Sequence, residues 1–112
     1  MVKRKLVLER GDVVWISFNP VAGHEQSGRR PALVISPRIY NALSGLVLCC
    51  PITSKKKGYP FEVDIKDSKI DGVVISDQLR SIDWQARKVK LHSRASADIV
   101  NDVLAKINVL VS

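Results

Sequence analysis

The apolar residues of this 112-residue chain change their period once, at Ser96. Before it they come in short β-rich runs broken by Gly, Pro, Ser and charged residues. After it Ile99, Val100, Val103, Leu104, Ile107, Leu110 and Val111 return every three or four positions, the spacing of one helix face. Ser96 supplies the cap and Asp98 an acid in the first turn. The length suits one core, so residues 1–112 are read as a single domain. Five to seven short strands with hairpin-length connections predict a mainly β, α+β fold. Its curved antiparallel sheet, of the small-barrel kind, carries a C-terminal amphipathic helix. The helix stripe is expected to close the core, with a partner surface as the alternative.

The strands follow from local signals. Asp12 to Phe18 is β-rich and reads as the first, and Pro31 to Ile35 as a buried second. Between them lies a polar loop from Asn19 to Arg30, long for so small a domain and therefore the first place to look for a site. Ser36-Pro37 reads as an N-cap and first helical position, with Gly45 ending a short helix. Leu46 to Thr53 is the next strand, and Pro51 within it predicts an edge or a bulge. A basic turn, Ser54 to Gly58, leads to Phe61–Ile65, whose alternation gives one wet face. Gly72 to Ile75 is another strand, Ser81 to Trp84 a single helical turn, and Arg87 to Leu91 a last strand. Trp15 and Phe61 are expected in the core.

An apolar content of 46% with 26% charged residues excludes disorder and fibrous repeats. The 18 Lys and Arg against 11 Asp and Glu leave +7, which favours a polyanionic partner, nucleic acid or an acidic protein segment. The cysteines, Cys49 and Cys50, are neighbours and point to opposite faces of a strand, so no disulfide framework is expected and the compartment is a reducing one. His24 and His92 are far apart, and no zinc-like ligand cluster is present in the sequence. The charged leader has only Leu6, Val7 and Leu8 between charges, and Leu46 to Ile52 is too short to span a bilayer, so a cytoplasmic protein without membrane partners is expected.

Three segments carry residue types suited to chemistry. Gly23 to Pro31 places His24, Glu25, Arg29 and Arg30 together, a set suited to RNA self-cleavage. A base takes the 2′-hydroxyl proton, a guanidinium holds the charge on the phosphorane, and an acid protonates the leaving 5′ oxygen. A solvated loop with a surface Glu–Arg pair fits the same residues. Cys50 to Lys57 offers Thr53, Ser54, Lys55, Lys56 and Lys57 to phosphate oxygens, or blunts a sheet edge. Asp77 to Asp83, with Gln78 and Arg80, can read base edges or stabilise a turn. Arg80, Arg87, Lys88, Lys90 and Arg94 form either an electrostatic track or one exposed strand face.

These segments, in this order and spacing, resemble the MazF/PemK family of bacterial type II toxins over nearly the whole chain. The resemblance is carried by Arg10-Gly11-Asp12, by Glu25-Gln26, Gly28 and Arg30-Pro31, and by Ser36-Pro37. It continues through Lys57 to Val63, Asp71-Gly72-Val73, Asp77-Gln78 and Ala105 to Leu110. It implies an SH3-like barrel acting as a homodimer. The implied activity is metal- and cofactor-independent cleavage of single-stranded RNA to 2′,3′-cyclic phosphate and 5′-hydroxyl ends, arresting growth. The implied partner is a MazE-like antitoxin, for which the +7 charge suggests an acidic flexible tail. By the same resemblance Arg30 and Thr53 are catalytic and Glu25 assists. Arg29, Ser54, Lys55, Lys56, Lys57, Asp77, Gln78 and Arg80 would bind RNA. His24 and Asp77 match the loop histidine and the aspartate of the Kid/PemK branch, but Ile75 stands where its catalytic arginine belongs, which leaves His24 outside the core assignment. Two alternatives remain open. One is a gyrase-binding toxin of the same barrel, against which stands the ending Leu110-Val111-Ser112 in place of Trp-Gly-Ile; the other is a passive RNA-binding barrel.

Overall fold

A computed structural model describes residues 7–17, 29–67 and 69–112. Seven strands and two helices run in the order β1 (Asp12–Ser17), β2 (Arg29–Val34), α1 (Arg38–Ser44), β3 (Leu46–Thr53), β4 (Glu62–Lys66), β5 (Asp71–Ile75), β6 (Arg80–Asp83), β7 (Lys90–Arg94) and α2 (Ala97–Val111). All strand pairs are antiparallel, and the sheet order is β4-β5-β3-β2-β1-β7 with β6 also paired to β3. The sheet is curled, as the short connections predict.

Alternation along the strands feeds two cores. Val13, Leu33, Cys50, Ile52, Val63, Ile65 and Val74 face one, which α2 closes with Val100 and Val103. Val14, Ile16, Ala32, Val34, Val47 and Cys49 face the other, closed by Leu8, Ile82 and Trp84. The two neighbouring cysteines thus enter different cores, both thiols are free, and burial pushes each up to about 12. The helix stripe divides along its length. From Ile99 to Ile107 it packs on the core, whereas Val109, Leu110 and Val111 are exposed. Among the described residues no helix is long and apolar enough to cross a membrane.

Several local expectations are corrected. Ser36 is not the N-cap: Pro37 holds that position without a side-chain cap. The Ser36 hydroxyl instead donates to Asn41 Oδ1 and accepts from the Leu48 N–H at 2.9 Å. Asn41 is fully buried, so its amide must be satisfied; it also donates to the carbonyls of Leu8 at 2.8 Å and Ser36 at 3.1 Å. Gly45 ends α1 with φ 74°, as its type predicts. Pro51 marks neither an edge nor a bulge. β3 is interior to the sheet, and Pro51 falls where β3 leaves β6 (paired to Leu46–Cys49) and takes up β5 (paired to Ile52 and Thr53). Residues 81–83 belong to strand β6, not a helical turn, with Ile82 buried against Val47 in the register. The last strand starts at Lys90, after a turn that Asp83 caps through the N–H groups of Gln85 and Ala86. Trp15 and Phe61 are half-buried at the surface, Trp15 edge-on to His92 with ring centroids 6.0 Å apart.

The outer strands of this order, β4 and β7, are joined by a clasp. Asp67, just past β4, accepts from the Ser93 hydroxyl at 3.0 Å and lies 3.3 Å from His92 Nε2, both on β7. The Lys69 N–H leads in holding the Asp67 carboxyl down to about 2, against partial burial, with the Ile70 N–H, Ser93 and His92 adding to it. A folded pKa below the unfolded one contributes stability above about pH 4 that is lost as pH falls toward 2. Asp67→Asn should therefore lower Tm at neutral pH, and the gap to wild type should close on acidification over that window; thermal melts from pH 7 to pH 2 check it.

Candidate functional site

The second core runs out at one end of β2 and β3, and polar side chains replace apolar ones on the same face. Ala32 pairs with Pro51, and extending that register by two residues sets Arg30 level with Thr53. Alternation turns both side chains to the face that Ala32 and Cys49 occupy further in. Arg80, opposite Cys49 in β6, shares that face. The result is a groove of about 740 Å³ lined by Arg30, Pro51, Ile52, Thr53, Lys55, Lys57, Tyr59, Glu62, Ile75, Asp77, Gln78 and Arg80.

Its walls are fixed by short-range hydrogen bonds. Thr53 Oγ1 accepts from the Lys55 N–H at 3.1 Å and so aims the start of the basic turn. Glu62, at the start of β4, accepts from three successive N–H groups, those of Lys57 (3.1 Å), Gly58 (3.0 Å) and Tyr59 (3.2 Å). Burial works against its ionisation, but these N–H groups and the Lys56 charge outweigh it and hold the carboxyl below its ordinary range. Gly58, at φ 79°, gives the turn the left-handed residue it needs. Tyr59 donates its hydroxyl to Asp77 Oδ2 at 2.9 Å, and that bond raises the phenol pKa. Gly72 lets β5 run close to Thr53: a Cβ there would collide with the Thr53 carbonyl. Strand packing thus sets the position of Thr53 from two sides.

Of the residues singled out in the sequence, Arg30, Thr53, Lys55, Lys57, Asp77, Gln78 and Arg80 line this groove. Ser54 and Lys56 do not. They line a separate shallow depression with Asp64, Lys66 and Asp71, where the Lys56 ammonium pairs with Asp64 at 2.8 Å. Arg29 is exposed at the start of β2, opposite Ser17 and one step out of phase with Arg30. His24 and Glu25 lie outside the described residues. Tyr59 and Glu62 were not singled out as site residues. A carboxylate three positions after a Gly-Tyr turn was the available signal, since it can reach back to the turn's N–H groups.

Four cations, Arg30, Lys55, Lys57 and Arg80, face into the groove, and of its two carboxylates Glu62 is already saturated by backbone donors. Among the described residues no carboxylate pairs with Arg30. Such a groove suits a chain of phosphates, with the Arg30 guanidinium and the Thr53 hydroxyl in one lining.

Comparison with known proteins gives the family of the chain. The profile of the PemK-like, MazF-like toxins of type II toxin–antitoxin systems matches residues 9–111. The chain is 44% identical over 111 residues to the endoribonuclease toxin MazF of Escherichia coli K12, covering 99% of both chains. The crystal structure of MazF (Form-I) from Deinococcus radiodurans superposes with a TM-score of 0.84 at 47% identity, covering 95% of this chain and 97% of that one. A chain of the MazE-MazF crystal structure (Form-II) from the same organism gives 0.87 at 47% identity, covering 95% of this chain and 96% of that one. By sequence over almost its full length and by fold, the chain belongs to the family of PemK-like, MazF-like toxins of type II toxin–antitoxin systems.

Proposed function

We propose that the protein is the toxin of a type II toxin–antitoxin pair, a sequence-specific endoribonuclease that cuts single-stranded RNA and so arrests growth. The observation that carries this reading is that Arg30 and Thr53 line one cationic groove, in a chain 44% identical to an endoribonuclease toxin. Residues 1–112 act as one toxin domain, in the cytoplasm and as a homodimer.

The reaction is internal transesterification. A base removes the 2′-hydroxyl proton, O2′ attacks the adjacent phosphorus, and the bond to the 5′ oxygen breaks as that oxygen takes a proton. One product ends in a 2′,3′-cyclic phosphate and the other begins with a 5′-hydroxyl. Thr53 holds a non-bridging oxygen of the scissile phosphate. Arg30 stabilises the extra charge on the phosphorane and can deliver the leaving-group proton, while Glu25 serves as base or orients Arg30. Lys55, Lys57, Gln78 and Arg80 hold the strand on either side. Because a guanidinium answers the developing charge, no metal ion is required. A dimer carries twice +7, or +14, which suits neutralisation by an antitoxin with an acidic flexible tail laid along the RNA path.

The test is digestion of one long RNA by purified protein in excess EDTA, with fragment ends mapped. Cleavage at a short recurring sequence, leaving 5′-hydroxyl ends, is expected. A strict requirement for added Mg²⁺, or 5′-phosphate ends, would overturn the mechanism.

A further inference from the structure

Asp77 is out of place in a groove for phosphates. A carboxylate repels the backbone that Arg30, Lys55 and Lys57 attract, so it has to do something else there. It is also firmly held. Tyr59 donates to Oδ2 at 2.9 Å, and the turn that presents Tyr59 is itself gripped by Glu62 through the N–H groups of residues 57–59. The two turns are braced to each other by the Ser76 N–H on the Phe61 carbonyl at 3.0 Å, and the Gln78 N–H on Ile75 at 3.2 Å closes the turn that carries Asp77. One oxygen of Asp77 is thus committed, and the braced turn holds the carboxylate in the lining of the groove. A rigid, charged acceptor that phosphates avoid is suited to a hydrogen-bond donor on a base.

We propose that Asp77, oriented by Tyr59, reads one base of the RNA and favours a nucleotide with an exocyclic amine over uridine at that position. The inference rests on the endoribonuclease reading above and gives it a specificity determinant. A carboxylate accepts hydrogen bonds and, when ionised, donates none. Adenine, cytosine and guanine each offer an amine on an exposed edge in single-stranded RNA. Uracil's one edge donor, N3–H, sits between two carbonyl oxygens that the carboxylate would repel. Tyr59 is a positioning residue here, since its hydroxyl fixes the rotamer of Asp77. Glu62 acts one step further back, fixing the turn.

The test is cleavage of a randomised RNA pool, with cut sites sequenced, by wild type, Asp77→Asn and Tyr59→Phe, each also checked by thermal unfolding. An asparagine still accepts from Tyr59, but its NH₂ can donate to uracil O4. Wild type is expected to disfavour uridine at one position by roughly tenfold or more, the scale of one base contact. In Asp77→Asn that preference should shrink to within about threefold, at that position alone. Tyr59→Phe should weaken it partly, at the same position. Uridine tolerated by wild type at every position would overturn the proposal. So would an Asp77→Asn pattern identical to wild type, or one in which all positions loosen together as Tm falls. Failure of wild type to cut any RNA would instead refute the nuclease reading itself.

Discussion

An RNA carrying a single deoxyribose on the 5′ side of the cut is expected to bind and remain whole. The substitution removes one hydroxyl and nothing else. In the proposed mechanism that hydroxyl oxygen becomes the fifth substituent on phosphorus, so without it no bond can form to displace the 5′ oxygen. Binding should change little, because in the proposed complex the cations lining the groove would meet phosphates and its turns would meet bases, both of which the analogue keeps. Gel-based cleavage and equilibrium binding of the paired oligonucleotides separate the two effects. Cleavage of the analogue at the normal rate would make water the nucleophile and require a different assignment for Glu25.

Arg30→Ala should lower the cleavage rate by roughly 10²–10³-fold, the scale of losing one charge-stabilising donor at a transition state. The loss should appear in kcat more than in KM, because Lys55, Lys57 and Arg80, which line the same groove, would still hold the strand under the proposed mechanism. Stability should change by no more than about 0.5 kcal/mol, since Arg30 is exposed at the wet end of β2 and contributes to neither core. Single-turnover cleavage alongside thermal melting checks both halves of the expectation. A mutant that cuts normally would remove Arg30 from the chemistry. One that is inactive because it melts early would make it a structural residue.

What could be read before the fold was known were features whose cause is local. Ser96 caps α2 by accepting the Ile99 N–H, and Gly45 ends α1 in the left-handed region, because caps depend on the few residues around them. The bounds of β3 and the separation of Cys49 from Cys50 followed from alternation alone. The misplaced elements depended on distant partners. Ser81 to Trp84 contains a genuine turn-former, Asp83, but pairing with Leu46–Cys49 draws Arg80–Asp83 into a strand and defers the turn by a few residues. Pro51 read as an edge because nothing near it in sequence shows that β3 changes partners there. The same division runs through the site. The residues that offer chemistry, Arg30, Thr53 and the lysines, stand out by type. Tyr59 and Glu62 act by holding other groups; the partners of Glu62 are local and their signal was in the sequence, whereas the partner of Tyr59, Asp77, becomes visible only once β4 and β5 are in place. Ser54 and Lys56 share the composition of their neighbours, yet the chain presents them on the far side, toward Asp64.

The groove has two kinds of wall, and they differ in how freely they can be rewritten. Arg30 and Thr53 are strand residues whose place depends on the ladders joining β1, β2, β3 and β5 and on the absence of a side chain at Gly72, so neither can move without disturbing a core. Lys57, Tyr59, Asp77 and Gln78 stand on two turns outside those ladders. Substitution in the turns leaves the sheet intact, and turns tolerate such change far better than ladders do. Under the proposed mechanism the architecture therefore allows the target sequence to drift, or to be re-engineered, around an unchanged Arg30 and Thr53. Variants with new preferences should be sought among residues 55–59 and 76–79, a search space small enough to randomise exhaustively two positions at a time.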